Sequence, residues 1–315
     1  MPESVLTCII NIIAGLEPRE YIAYVLDENG DKVAENLFEW RYDSTALNLD
    51  LGELSRADQS GAAPKNNLNV VFGQHLFQTI FAGPVGILWQ EMRTQARRQP
   101  LRLVIRIDPQ TARPLLNLPW EYLHDGQEFL ALNWHTPLSR LPSNIIAEPY
   151  EPLDKALRML VVIAAPTGLD ENHVLNYARE EDIILASTSR ARQSGRLLVE
   201  FTPNGSQDAL ETYLRDYDPH ILHVVAHGTF DKEQDCGSIQ LEDEQGGGKL
   251  VPNEEFADLI GKQDRSLRLV FLSACQSAIV SQNNGFADLG PRLLAADILA
   301  VVAMARMAIN CKYSV

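Results

Sequence analysis

The feature that most narrows the fold is a series of short, almost unbroken apolar runs in the second half of the chain, each separated from the next by helix-like sequence. RMLVVIAAP (158–166), LLVEFTP (197–203), HILHVVAHG (220–228), LRLVFLSAC (267–275) and ILAVVAMA (298–305) are dominated by Val, Ile and Leu. Strands of that composition are buried on both faces, as in a mostly parallel sheet covered by helices. The intervening segments supply those helices: a long one from Glu171 to Gln193, SQDALETYLRDY with Ser206 as its N-cap, residues 253–261, and FADLGPRLLAA. In open sheets of this kind, ligands bind beyond the carboxyl ends of the strands.

The first half follows a looser version of the same pattern. VLTCIINII (5–13), YIAYVLDE (21–28) and LRLVIRID (101–108) read as strands, and NVVFGQHLFQTIF and GILWQEMRTQARR as helices with apolar residues three and four apart. SRADQSGAAPKNN (55–67) reads as a surface loop. The three prolines of LPSNIIAEPYEPLDKA set the expected boundary between a domain at 1–150 and a second at 151–315.

Composition removes several classes of function. A net charge of −15 leaves no electrostatic footprint for nucleic acid and opposes an anionic membrane surface. The longest apolar stretches are too short or too interrupted to span a bilayer. Cys8, Cys236, Cys275 and Cys311 lie far apart with no CxxC pair, against a disulfide framework or zinc knuckle. With no signal peptide recognised, the expectation is a reducing, cytoplasmic setting.

Two of the strand-like runs end in reactive residues, His227-Gly228 and Ala274-Cys275. A lone cysteine or histidine is most often a packing residue. The pair is different: Ser273-Ala274-Cys275-Gln276-Ser277 matches the Gln-Ala-Cys signature of caspases at three of five positions, with the histidine 48 residues upstream. Chain order, histidine before cysteine, separates it from papain-like enzymes. The chemistry needs both groups, because a thiol of pKa near ~8.5 is mostly protonated at neutral pH and an imidazole must take its proton. Zinc held by His223 and His227 would require a helix. The β-branched run around them favours a strand, on which four residues span roughly 13 Å. A nucleotide site is equally unsupported, since Ala-Ala-Pro-Thr-Gly after the first of these strands is a poor phosphate cradle. The stretch TFDKEQDCGSIQLEDEQGGGKL reads as a solvated acidic hairpin, with one of its carboxylates as a candidate to reach the cleft.

With these residues in view, the sequence resembles the CHAT family, a bacterial branch of the caspase, separase and clostripain superfamily. The resemblance is carried by His223 to Gly228, Gly237 to Leu241, Leu272 to Ala278, residues 285–302, Leu118-Pro-Trp-Glu-Tyr122 and Phe129 to Leu132. It implies a caspase-like three-layer α/β/α sandwich preceded by a smaller α/β or pseudo-caspase half. It implies His227 as base, Cys275 as nucleophile, and the N–H groups of Gly228 and Cys275 as the oxyanion hole, with no metal or organic cofactor. Relatives that select basic residues carry an Asp two positions before the cysteine. Ser273 stands there, so a basic preference would fall to the acidic loop, Asp231 or Asp235 first. The family further implies a protein or peptide substrate, a sensor domain or partner protein that activates the enzyme, and a setting in bacterial defence or cell death. Such chains usually continue beyond the ILAVVAMA strand, whereas this one ends at Val315, so the expectation is a core lacking its C-terminal end and regulated from outside. The reading from another class is a catalytically silent interaction module on the same fold.

Overall fold

The computed structural model describes residues 5–41, 68–97, 99–116, 118–142, 153, 155–168, 175–231, 236–261, 266–276, 289–290, 292–294, 296 and 298–303. The chain divides into two compact units, Met1–Ile146 and Ala147–Val315. The expected loop at 55–67 and most of the expected boundary segment lie outside the described residues.

The first unit is a five-stranded sheet with helices against it. Its strands are β1 (Leu6–Ala14), β2 (Glu20–Leu26), β3 (Lys32–Glu39), β4 (Leu101–Ile107) and β5 (Leu138–Pro142), in the order β3-β2-β1-β4-β5. β1 pairs parallel with β4 and β4 with β5, while β2 and β3 add antiparallel. Helices α1 (Leu68–Ile80) and α2 (Gly83–Ala96) close the core with fully buried Leu76, Ile80 and Trp89. Among the described residues no single helix is long and apolar enough to cross a membrane.

The second unit holds a seven-stranded, mostly parallel sheet: β6 (Leu157–Ile163), β7 (Leu197–Phe201), β8 (Ile221–Asp231), β9 (Cys236–Glu242), β10 (Gly248–Pro252), β11 (Leu269–Gln276) and β12 (Ala300–Ala303). β6–β7, β6–β8, β8–β11 and β11–β12 are parallel pairs, and β9 and β10 form an antiparallel hairpin. Helices cover both faces, which makes three layers. Helix α3 (Tyr177–Gln193) sends Ile184 onto Met159, Val161, Ile163 and Val225. On the other face, Leu210 and Leu214 of α4 (Gln207–Tyr217) and Phe256 and Ile260 of α5 (Asn253–Gly261) bury Leu160, Val162, Leu222, Val224, Val270 and Leu272. Leu289 and Leu293, from helical residues of the expected FADLGPRLLAA helix, join the same core.

Local signals explain where these helices start. Ser206 caps α4 as expected, its side chain accepting the Ala209 N–H at 3.2 Å. Helix α3 begins later than the sequence suggests, at Tyr177, because Asn176 supplies the cap by accepting the Arg179 N–H at 3.1 Å. β3 and β5 are not anticipated by the apolar pattern; both are edge strands in their sheet, where little burial is required.

Candidate active site

β8 is the strand around which the site is built. His227 stands well inside it, because the strand continues to Asp231 rather than stopping at His227-Gly228. Along one side the strand changes neighbour. Ile221 to Val225 pair with β6 and His227 to Asp231 pair with β9, the switch falling at Ala226. β6 ends at Ile163, so His227 lies past the carboxyl end of one neighbour while still held by another. The chain goes from β6 to β7 on one side and then to β8 on the other, so the sheet's topological switch point, where α/β sheets expose a crevice, lies between β6 and β8.

The other side of β8 pairs with β11 throughout, and the register sets Cys275 directly opposite His227. Paired positions in a parallel ladder share a face of the sheet, with neighbouring strands about 4.8 Å apart. The two residues singled out from sequence, 48 apart in the chain, are therefore adjacent positions on one face.

That face is only half-closed. Ile239 and Leu241 point into the core, whereas Ser238, Gln240 and Glu242 on the His227 side are half-buried. On β8 and β11 the same holds for His227, Thr229 and Ser273. Helix α3 covers the amino-terminal part of the face, and its carboxyl-terminal part carries the polar groups.

The expected oxyanion donors are tied to the ladder. Leu269 N–H bonds the His220 carbonyl at 3.2 Å, which fixes the phase of the β8–β11 pairing. Carried along the register, that phase directs Cys275 N–H at the Ala226 carbonyl and Gly228 N–H at the Cys275 carbonyl.

His223 has a different role from His227. Its Nε2 is 3.0 Å from Ser273 Oγ, its ring meets Phe271 edge-on at 4.7 Å, and burial pushes its pKa down to about 4. It is a neutral packing residue four positions before His227 on β8, with Val225 between them on the same face. Ser273, read from sequence as a substrate-pocket position, is engaged by that ring. Asp231 belongs to β8 rather than to a loop, a correction explained by its pairing with Cys236 of β9, and Asp235 lies outside the described residues. The expected hairpin is present as β9 and β10. Among the described residues no group of three His, Cys, Asp or Glu side chains is arranged to hold a metal.

Glu242, one of the acidic residues from which the sequence offers a carboxylate for the cleft, ends the hairpin strand. Glu242 Oε1 accepts the Ala165 N–H at 2.8 Å, and Glu242 N–H donates to the Gly205 carbonyl at 2.9 Å. Gly205 has no space for a side chain, since a Cβ there would stand 2.3 Å from Ala164 Cα. The alternation in GSIQLED, with Gln240 and Glu242 on one face, is the signal that could have singled it out.

Comparison with known families and proteins gives one match and one blank. The family model described as the CHAT domain matches residues 71–306. No curated protein matches the chain.

Proposed function

Because the chain belongs to the CHAT domain family, whose fold is caspase-like, we propose that it is a cysteine endopeptidase working through Cys275 and His227. The observation that carries this reading is the register of β8 and β11, which makes the two residues facing neighbours past the end of β6. In the proposed cycle His227 takes the Cys275 proton, and the thiolate sulfur attacks the scissile carbonyl. The C–N bond then breaks as the imidazolium gives its proton to the leaving amine, and water hydrolyses the thioester. The Gly228 and Cys275 N–H groups serve the oxyanion. Their ladder phase adds a requirement, that the last rungs between β8 and β11 open when substrate binds. The substrate is a protein or peptide, and a sensor domain or partner protein supplies activation in a defence or cell-death setting.

Reaction of the full chain with a peptidyl electrophile tests the reading. Covalent labelling at Cys275 that disappears in His227→Ala, with Cys8, Cys236 and Cys311 unlabelled, is the expected result. Labelling spread evenly over the exposed thiols, or indifferent to His227, favours the silent interaction module instead.

A further inference from the structure

One acidic side chain on the site's face belongs neither to the dyad nor to the carboxylates expected first to meet substrate. Glu242 ends β9, two positions beyond Gln240, which is in register with His227. The β8–β9 ladder ends at that pair, so Glu242 lies two extended residues, roughly 7 Å, beyond the position that faces His227. Alternation puts it on the His227 side, while Leu241 turns into the core.

The carboxylate is fixed. Ala165, whose N–H it accepts, is two residues past the end of β6. The residue before it, Ala164, donates its N–H to the Val225 carbonyl at 2.8 Å, so Ala165 follows directly on the last contact of this segment with β8. Glu242 thus fills the gap where β6 leaves and β9 takes its place beside β8. Among the described residues, no hydrogen bond reaches its second oxygen and no cation pairs with it. The other ionisable groups nearby are otherwise occupied. Tyr177 of α3 has its hydroxyl pKa raised by burial, then by Glu181 and Glu242. Asp243 accepts the Gln245 and Gly247 N–H groups, Lys249 donates to Gln207 Oε1 at 2.8 Å, and His223 is held by Ser273.

We propose that Glu242 is a positioning residue for His227, its fixed carboxylate favouring the imidazolium and orienting the ring toward position 275. The proposal rests on the dyad reading above. An anion beside an imidazole raises its proton affinity, and a base oriented by a third group is the common logic of activated nucleophiles. In the proposed cycle the thiol proton goes to His227 and from there to the leaving amine.

The test is the alkylation rate of each cysteine by iodoacetamide, followed by mass spectrometry across pH, in the full chain and in Glu242→Gln and Glu242→Asp. Gln keeps an acceptor for Ala165 but loses the charge, whereas Asp keeps the charge. In Glu242→Gln, the limb of the Cys275 profile that follows loss of the imidazolium proton should move to lower pH by about half a unit or more, while Glu242→Asp stays near wild type. An unmoved limb in the Gln variant overturns the proposal, as does an Asp variant that moves as far as Gln. A wild-type Cys275 that titrates as a single ordinary thiol near ~8.5 would overturn the dyad itself, a result distinct from either.

Discussion

The carboxyl edges of the two sheets are built from similar parts and finished differently. In the first unit β1 and β4 run parallel to a last pair, Ile12 with Ile107, and Asp108 then closes the edge. Its N–H donates to the Ile12 carbonyl at 3.0 Å, its carboxylate accepts Gln110 N–H and Thr111 Oγ1, each at 2.9 Å, and its carbonyl accepts Ala112 N–H. Thr111 Oγ1 in turn accepts the Ala14 N–H at 3.3 Å. The polar groups of that edge are absorbed by a single turn. In the second unit β8 and β11 run on beyond β6, and the residues they bring past its end are His227 and Cys275. One edge is closed by its own turn, whereas the other carries the two residues of the proposed function past the end of a neighbouring strand.

The comparison breaks most visibly if the two edges respond alike to substitution. Cys275→Ala should abolish peptidyl labelling and lower turnover by about a thousandfold or more. Asp108→Ala should leave Cys275 labelling unchanged and lower the stability of the first unit by about 1 kcal/mol, through loss of its turn hydrogen bonds. The four cysteines provide a control for the labelling. Cys8 is buried, and burial drives its thiol pKa up to about 12, so in the folded protein it should not react.

Glycines at close backbone approaches offer the next largest effect. A Cβ at Gly73 in α1 would lie 1.8 Å from the Tyr122 carbonyl oxygen, whereas one at Gly205 would meet Ala164 Cα at 2.3 Å and the Ile163 carbonyl at 2.8 Å. Gly73→Ala should destabilise by about 3 kcal/mol and Gly205→Ala by about 2 kcal/mol. Trp40, Trp89, Trp120 and Trp134 all lie in the first unit, so tryptophan emission reports on it directly. Gly73→Ala should lower the urea midpoint read by that emission. Gly205→Ala should appear instead as faster amide exchange in β6 and slower alkylation of Cys275, because the loop it disturbs holds Glu242. Equal exchange in both variants would mean that Gly205 does not support the site.

Electrostatics sharpens the contrast further. Burial pushes the Asp125 carboxyl up, but hydrogen bonds from the Glu128 and Gln127 N–H groups and from Arg93 outweigh it and hold its pKa below the usual carboxylate value. A depressed carboxylate contributes stability above its unfolded pKa of about 3.9, and loses it as pH falls through the lower folded value. The tryptophan-reported transition should therefore weaken below about pH 4. Asp125→Asn should cost about 1–2 kcal/mol at pH 7 and flatten that acid dependence. An unchanged acid limb in Asp125→Asn would assign the loss to other carboxylates.

How much of this was legible in sequence depends on how locally each feature is determined. The central strands announce themselves because burial on both faces requires unbroken Val, Ile and Leu, as in RMLVVIAAP. β3, with the sequence KVAENLFE and only Ala34 and Phe38 buried, carries no such run; pairing with β2 makes it a strand. The extension of β8 through Gly228 and Thr229 is likewise tertiary, supplied by β9. Residue type and order are enough to single out His227 and Cys275 as a pair, and the β8–β11 register makes them opposite positions. The placement of Glu242 was not legible, because it depends on which strand replaces β6 beside β8, and sequence spacing does not say.

His223 is the smallest and most discriminating case, since its partner Ser273 is fifty residues away and becomes visible only in the register. At neutral pH His223→Gln should cost about 0.5–1 kcal/mol, because an amide can still reach Ser273 while the edge-on contact with Phe271 is lost. The larger signature is in pH. Burial lowers the folded His223 pKa to about 4 from an ordinary 6.5, so below pH 6.5 the unfolded chain takes up a proton that the folded chain refuses. Stability of the second unit should therefore fall as pH drops from 6.5 toward 4, with no contribution from this group above 6.5. His223→Gln should flatten that slope and leave the Cys275 alkylation profile in place. A variant that keeps the slope but loses Cys275 reactivity would reverse the roles assigned to the two histidines, and with them the contrast between a strand position that packs and one that reacts.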